Sequence, residues 1–155
     1  MGIKSFQGHQ VEHKKTAPDK VSVADCMLKS VVTFTEDMSL VEAMKIMIRH
    51  KVSGGPVINE NHEVVGIISE GDCVKQISDS RYYNMPMSDI KVGTKMSRNV
   101  ETVSPTENVF DVANKFLHLK RRRFPVISEG KLVGLVSQKI MMKVALELTG
   151  NHWKK

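Results

Sequence analysis

The sequence predicts an α/β fold of the α+β kind, in which two tandem β-α-β-β-α repeats pack as a pseudo-twofold pair. Three observations predict it. Sliding the chain by 69 positions lays Met27 on Met96, Val31 on Val100, Thr33 on Thr102, Lys51 on Lys120 and Pro56-Val57-Ile58 on Pro125-Val126-Ile127. Beyond the next loop the offset becomes 68, and Val65-Gly66 falls on Val133-Gly134, Ser69 on Ser137 and Lys75 on Lys143. The third observation is a helical apolar stripe at the same place in both copies. The change of offset has a simple source: five residues separate Ile58 from Val64, but four separate Ile127 from Leu132. Loops absorb such changes because closure entropy depends weakly on length.

The elements follow in order. Short β-branched runs, Val31 to Phe34 and Val100 to Val103, read as the leading strand of each copy. Leu40, Ala43, Met44, Met47 and Ile48 then follow the i, i+3, i+4, i+7, i+8 spacing of an amphipathic helix, and Val109, Val112, Ala113, Phe116 and Leu117 repeat it. Ser39-x-x-Glu42 reads as a capping box, with Asn108-x-x-Asp111 as its weaker counterpart. Two apolar runs around a polar turn come next: Pro56-Val57-Ile58 with Val64 to Ile68, and Pro125-Val126-Ile127 with Leu132 to Val136. These read as hairpins. A closing helix is expected from about Glu70 to Ile77 and from about Gln138 to Leu148. Each copy holds about 55 residues, too few to bury its surface comfortably alone, so the two copies are expected to share one core. The boundaries expected are a mobile segment 1–20, repeats at 21–78 and 90–150, a connection at 79–89 and a basic tail at 151–155.

Bulk properties exclude several classes. No apolar run nears the roughly 18–20 residues of a membrane span, and the N-terminus lacks an apolar signal core, so a cytoplasmic protein without membrane insertion is expected. Cys26 and Cys73 form no CxxC and are expected to stay reduced. The net charge of +6 favours anionic partners, yet aromatics make up only 5% of the chain, which weakens any base-stacking platform. His9-x-x-x-His13 has metal-ligand spacing without a third ligand, so no metal is expected. No phosphate loop, dinucleotide fingerprint or catalytic constellation is present, and the chain reads as non-catalytic.

With the repeat and its terminal Gly66-Ile-Ile-Ser69-x-x-Asp72 in hand, the chain resembles the CBS (cystathionine β-synthase) domain pair, or Bateman module. The resemblance runs from about Val21 to Gly150 and implies a stand-alone regulatory sensor. Its expected ligand is an adenosine nucleotide (AMP, ADP or ATP) or S-adenosylmethionine, held in the cleft between repeats. It also implies a homodimer, an unidentified effector protein and no required cofactor. Carried over residue by residue, Asp72 would hold the ribose hydroxyls and Ser69 approach the phosphate. Thr94, Asn99, Val100, Arg122, Arg123 and Phe124 would form the other wall. The mirror cleft would use Asp25, Val31, Ser53, Gly54, Gly55 and Ser137, but Ile140 stands where its ribose aspartate belongs, so one working site per chain is expected.

The residues themselves also support a plainer reading. Ser69-x-x-Asp72 is a capping box variant, Arg121 to Arg123 could be a solvated helix end, and Cys73 could be a small buried apolar residue. Two alternatives follow: a ligand-free dimerisation or interaction module, and, with less support, a nucleic-acid-binding protein.

Overall fold

A computed structural model describes residues 21–84 and 86–149. The expected mobile segment 1–20, with His9 and His13, and the basic tail lie outside the described residues. The elements are α1 (Val23–Cys26), α2 (Leu40–His50), β1 (Gly54–Ile58), β2 (Val64–Ser69), α3 (Glu70–Tyr83), a 3-10 turn (Met87–Asp89), α4 (Val92–Lys95), α5 (Val109–Leu119), β3 (Arg123–Ser128), β4 (Lys131–Ser137) and α6 (Gln138–Leu148). The sheets are two-stranded, β1 with β2 and β3 with β4. The β1–β2 pair is antiparallel from Gly54 opposite Ser69 to Ile58 opposite Val64, with an irregularity between Val57 and Ile58.

The chain divides into two compact units that do not follow the repeats in simple order. One gathers the described part of Met1–Lys29 with Thr102–Ser128 and Val133–Lys155; the other gathers Ser30–Glu101 with Glu129–Leu132. Each has its own buried cluster. In the first, Val23, Val103, Val112, Phe116, Phe124, Val126 and Val136 pack together. In the second, Phe34, Leu40, Ala43, Met47, Val57, Ile68, Cys73, Val92 and Met96 do so. Each cluster is completed by a short leading helix. Helix α4, which begins the second sequence repeat, supplies Val92 and Met96 to the hairpin of the first repeat, and Ser97 bridges Ile67 there. Helix α1 does the same for the β3–β4 hairpin, where Leu28 bridges Leu135.

These contacts explain the glycines in the hairpins. A Cβ on Gly66 would stand 2.5 Å from Met96 Sδ and 2.9 Å from the Ser97 carbonyl, and one on Gly134 would stand 2.5 Å from Met27 Sδ. The Met96 side chain can shift, but the Ser97 carbonyl is backbone held by its own bridge. Gly66→Ala is therefore expected to destabilise the chain by about 1–3 kcal/mol, the usual cost of overpacking. Urea unfolding checks this, with a lower midpoint at an unchanged slope.

The expected leading strands are reduced to single bridges, Phe34 with Val57 and Val103 with Val126. Phe34 N–H donates to the Pro56 carbonyl at 3.0 Å, and Ile58 N–H donates to Phe34 at 2.8 Å. The next rung towards Val32 would need an N–H from Pro56, which has none. Pro125 truncates the second copy in the same way. Helix α3 also runs on to Tyr83, past its expected end at Ile77, and stops at Asn84 in the left-handed conformation (φ 57°).

Candidate functional site

The loop-to-helix junction at Ser69 is fixed locally. Ser69 is extended at φ −137° and caps α3. Its hydroxyl accepts the Asp72 N–H at 3.4 Å, while Asp72 Oδ2 accepts the Ser69 N–H at 2.9 Å and the Ser69 hydroxyl at 3.1 Å. The bland reading of the motif is therefore realised through one carboxylate oxygen. Among the described residues Oδ1 takes no hydrogen bond. In the second copy Ser137 caps α6 through Ile140 N–H at 3.3 Å, and Ile140 offers no carboxylate in return. The serine–aspartate pairing appears a second time on α1, where Asp25 Oδ2 accepts from Ser22 N–H at 3.1 Å and from its hydroxyl at 3.2 Å. A serine–aspartate cap is thus a recurrent local device of this chain, and it does not by itself mark a ligand.

What sets Asp72 apart is the space beside it. Asp72, Lys75, Gln76 and Asp79 from α3, with Thr94 and Lys95 from α4, line a cavity of about 240 Å³ within the second unit. Two residues of the expected site, Asp72 and Thr94, are brought together there. Thr94 Oγ1 donates to the Lys91 carbonyl at 2.7 Å, which anchors the side chain and leaves its oxygen able to accept. Asn99 and Val100 lie further along the same unit and do not line this cavity. Arg122, Arg123 and Phe124 belong to the other unit. Phe124 is fully buried, its ring 4.5 Å from that of Phe116. Arg122 is exposed and Arg123 half-buried. Arg121, outside the expected set, has a buried Nε without a hydrogen-bond partner.

The residues expected in the mirror cleft divide between the units. Asp25 and Ser137 fall in the first; Val31, Ser53, Gly54 and Gly55 fall in the second. Val31 lines a groove of about 540 Å³ with Ser30, Val32, Thr33, Glu42, Ile46, Arg49 and His50. Ser53 accepts the Glu70 N–H through its carbonyl at 2.9 Å. Gly54 has φ 148°, and a Cβ on Gly55 would stand 2.7 Å from the Val32 carbonyl, so this stretch is glycine for backbone reasons.

Lys75, Gln76, Asp79 and Lys95 escaped the sequence reading. Asp72, Lys75, Gln76 and Asp79 stand at i, i+3, i+4 and i+7, which puts them on one helix face. That spacing was available, but nothing in it says that the face borders a cavity. Gln76 is the unusual member: 1% exposed, its Nε2 donating to Ser80 Oγ at 3.0 Å and its Oε1 buried without a partner.

Beside Asp72, Cys73 is buried. Burial first, then the carboxylates of Asp72 and Glu70, push its thiol above the ordinary 9.0. Burial and Asp25 do the same for Cys26. Both thiols stay protonated at neutral pH, so neither is a ready nucleophile. A raised folded pKa means that stability is full below the unfolded value near pH 9 and falls as pH rises from there towards the folded value. Going from about pH 8 to about pH 10, the urea midpoint is expected to drop further in the native chain than in Cys26→Ala/Cys73→Ala.

Among the described residues there is no group of three or more His, Cys, Asp or Glu able to hold a metal, and no helix is long and apolar enough to cross a membrane. In solved structures, the chain is similar to CBSX2 in complex with AMP, at 27% identity and TM-score 0.73, covering 83% of this chain and 98% of that one. It is similar at 27% identity and TM-score 0.70 to the CBS domain pair of protein MJ0100 in complex with 5-methylthioadenosine and S-adenosyl-L-methionine, covering 81% and 95%. Among curated proteins it is 29% identical to the uncharacterised protein MJ1225 of Methanocaldococcus jannaschii over 84% of this chain, and spans 44% of that protein's length. It is 30% identical to MJ1426 of the same organism over 75% of this chain and 86% of that protein. The family model for the CBS domain matches twice, at residues 23–79 and 87–147. The chain belongs to the CBS domain family and carries a pair of these domains.

Proposed function

We propose that the chain is a regulatory sensor module that binds an adenosine-containing ligand at Asp72 and reports occupancy to a partner protein, without catalysing a reaction itself. The observation that carries this reading is the juxtaposition of Asp72 and Thr94 on one cavity, with one oxygen of the carboxylate uncommitted. A carboxylate accepts two hydroxyl hydrogen bonds, as a ribose offers, and a helix N-terminus tolerates nearby anionic groups. The solved relatives carrying AMP or an S-adenosyl compound support the ligand class. A thermal-shift panel of adenosine, AMP, ADP, ATP and S-adenosylmethionine tests it. A ligand at about a hundred times its Kd should stabilise the folded chain by about 2.7 kcal/mol, a rise of several degrees. No shift with any of them at millimolar concentration would reject the reading.

A homodimer is part of the proposal. Helix α3 exposes Val74 and Ile77, and α2 exposes Ile48; in the other unit α5 exposes Phe110 and Leu117, and α6 exposes Met142. Apolar side chains repeated on helix faces suit a second copy. Light scattering should give twice the 17.4 kDa chain mass, and Ile77→Glu should halve it.

One observation favours a second reading, a ligand-free interaction module: the Ser22–Asp25 pairing has the same local hydrogen bonds as Ser69–Asp72, so those bonds serve a helix start with or without a ligand. On that reading Asp72→Ala costs about 1 kcal/mol of stability and has no ligand phenotype.

A further inference from the structure

We propose that the cavity between α3 and α4 binds a small neutral α-amino acid, its ammonium group on Gln76 and Asp79 and its carboxylate on Lys75 and Lys95. The inference goes beyond the adenosine reading and makes no use of a ribose contact at Asp72. Asp72, Lys75, Gln76, Asp79, Thr94 and Lys95 line a space of about 240 Å³ that lies wholly within the second unit. Its charged members are two aspartates and two lysines, so the lining has no net charge but offers both signs. None of the four closes on another: among the described residues the ion pairs are Arg98 with Glu36 and Lys115 with Glu107. Surface charges often stay apart because pairing gains little, so the charges alone would not make a site.

Gln76 supplies the second, independent observation. It is 1% exposed, its Nε2 donates to Ser80 Oγ at 3.0 Å, and its Oε1 is buried without a partner. A buried acceptor with no donor is costly, and a ligand N–H would remove that cost. The depths of the lining residues then set the direction of the ligand. Gln76 is buried and Asp79, three positions on along the same helix face, is half-buried, whereas both lysines are exposed. An ammonium group directed inward donates to Gln76 Oε1 and to the Asp79 carboxylate, both of which only accept. A carboxylate directed outward accepts from the two lysines. A cation alone would leave the lysines unanswered, and an anion alone would leave the Gln76 oxygen unanswered. A zwitterion answers both and matches the neutral lining. Size agrees: about 240 Å³ falls below the roughly 300–1,000 Å³ of pockets that enclose drug-sized ligands, and suits a free amino acid with a short side chain.

Calorimetry with the full chain tests the inference, with glycine, alanine and serine as probes. At least one of the three is expected to bind saturably at millimolar concentration or below. Its N-acetyl form, which lacks the ammonium group, and its amide, which lacks the carboxylate, should each bind at least about tenfold more weakly. Lys75→Met/Lys95→Met removes the partners of the carboxylate and should weaken the amino acid by at least about tenfold. Both lysines are exposed, so that variant should keep its melting temperature. Asp79→Asn keeps the shape of the side chain but removes its charge, and should weaken the amino acid to a similar degree. Absence of saturable binding by all three amino acids would overturn the inference. So would binding of the N-acetyl or amide form as tight as that of the parent, or an affinity that ignores both substitutions.

Discussion

Phe124→Ala is expected to cost about 3–5 kcal/mol, out of the roughly 5–15 kcal/mol that hold a domain of this size together. The ring has no exposed surface and packs against Phe116 at 4.5 Å between centroids, tilted by 35°. Val103, Val112, Val126 and Val136 complete its surroundings. Truncation removes the transfer energy of a large ring and leaves a cavity that rigid β-branched neighbours fill poorly. Urea unfolding should show a much lower midpoint. A loss below about 1 kcal/mol would place the ring outside the core. This expectation matters for the site as well. The family resemblance puts Phe124 on a ligand wall, but a side chain without accessible surface offers a ligand no face of its own, so its loss should read as instability.

Asp72→Asn carries the largest expected effect on binding. The amide keeps an oxygen that can accept the Ser69 N–H, so the α3 cap should survive at a cost of well under 1 kcal/mol. Hydrogen bonds from ribose hydroxyls to a charged acceptor contribute more than those to a neutral one. The substitution should therefore cost about 1.5–3 kcal/mol of affinity, ten- to over a hundredfold. Asp72→Ala should lose both the affinity and the cap. Comparing the two separates functions that one carboxylate combines. Equal affinity in the native chain and the Asn variant would assign Asp72 to capping alone.

Much of the architecture was legible because it repeats. The 3.6-residue stripe located α2 and α5, the Pro-Val runs located both hairpins, and Ser69 and Ser137 marked the helix starts. The leading strands were overread because β-branched composition was weighed without the missing N–H of Pro56 and Pro125. The end of α3 was underread, since Ser78 to Asn84 is polar and looks like a loop until Gln76 and Ser80 are seen to be buried on one face. The exchange of α1 and α4 between hairpins was not legible at all. Val23 and Val92 occupy equivalent positions, and either would fit either hairpin, so the choice is made by chain path and not by residue type. For the same reason Asp72 and Thr94 could be named from the resemblance, while Lys75, Gln76, Asp79 and Lys95 needed the structure to show that α3 and α4 border one cavity.

The central claim, an adenosine ligand held at the Asp72 cavity, is tested most directly by following backbone amide resonances as AMP is added. The account predicts saturable shifts concentrated in Ser69 to Gln76 and Lys91 to Met96, lost in Asp72→Asn at the same concentrations. Shifts confined to other segments, or none at millimolar AMP, would contradict it.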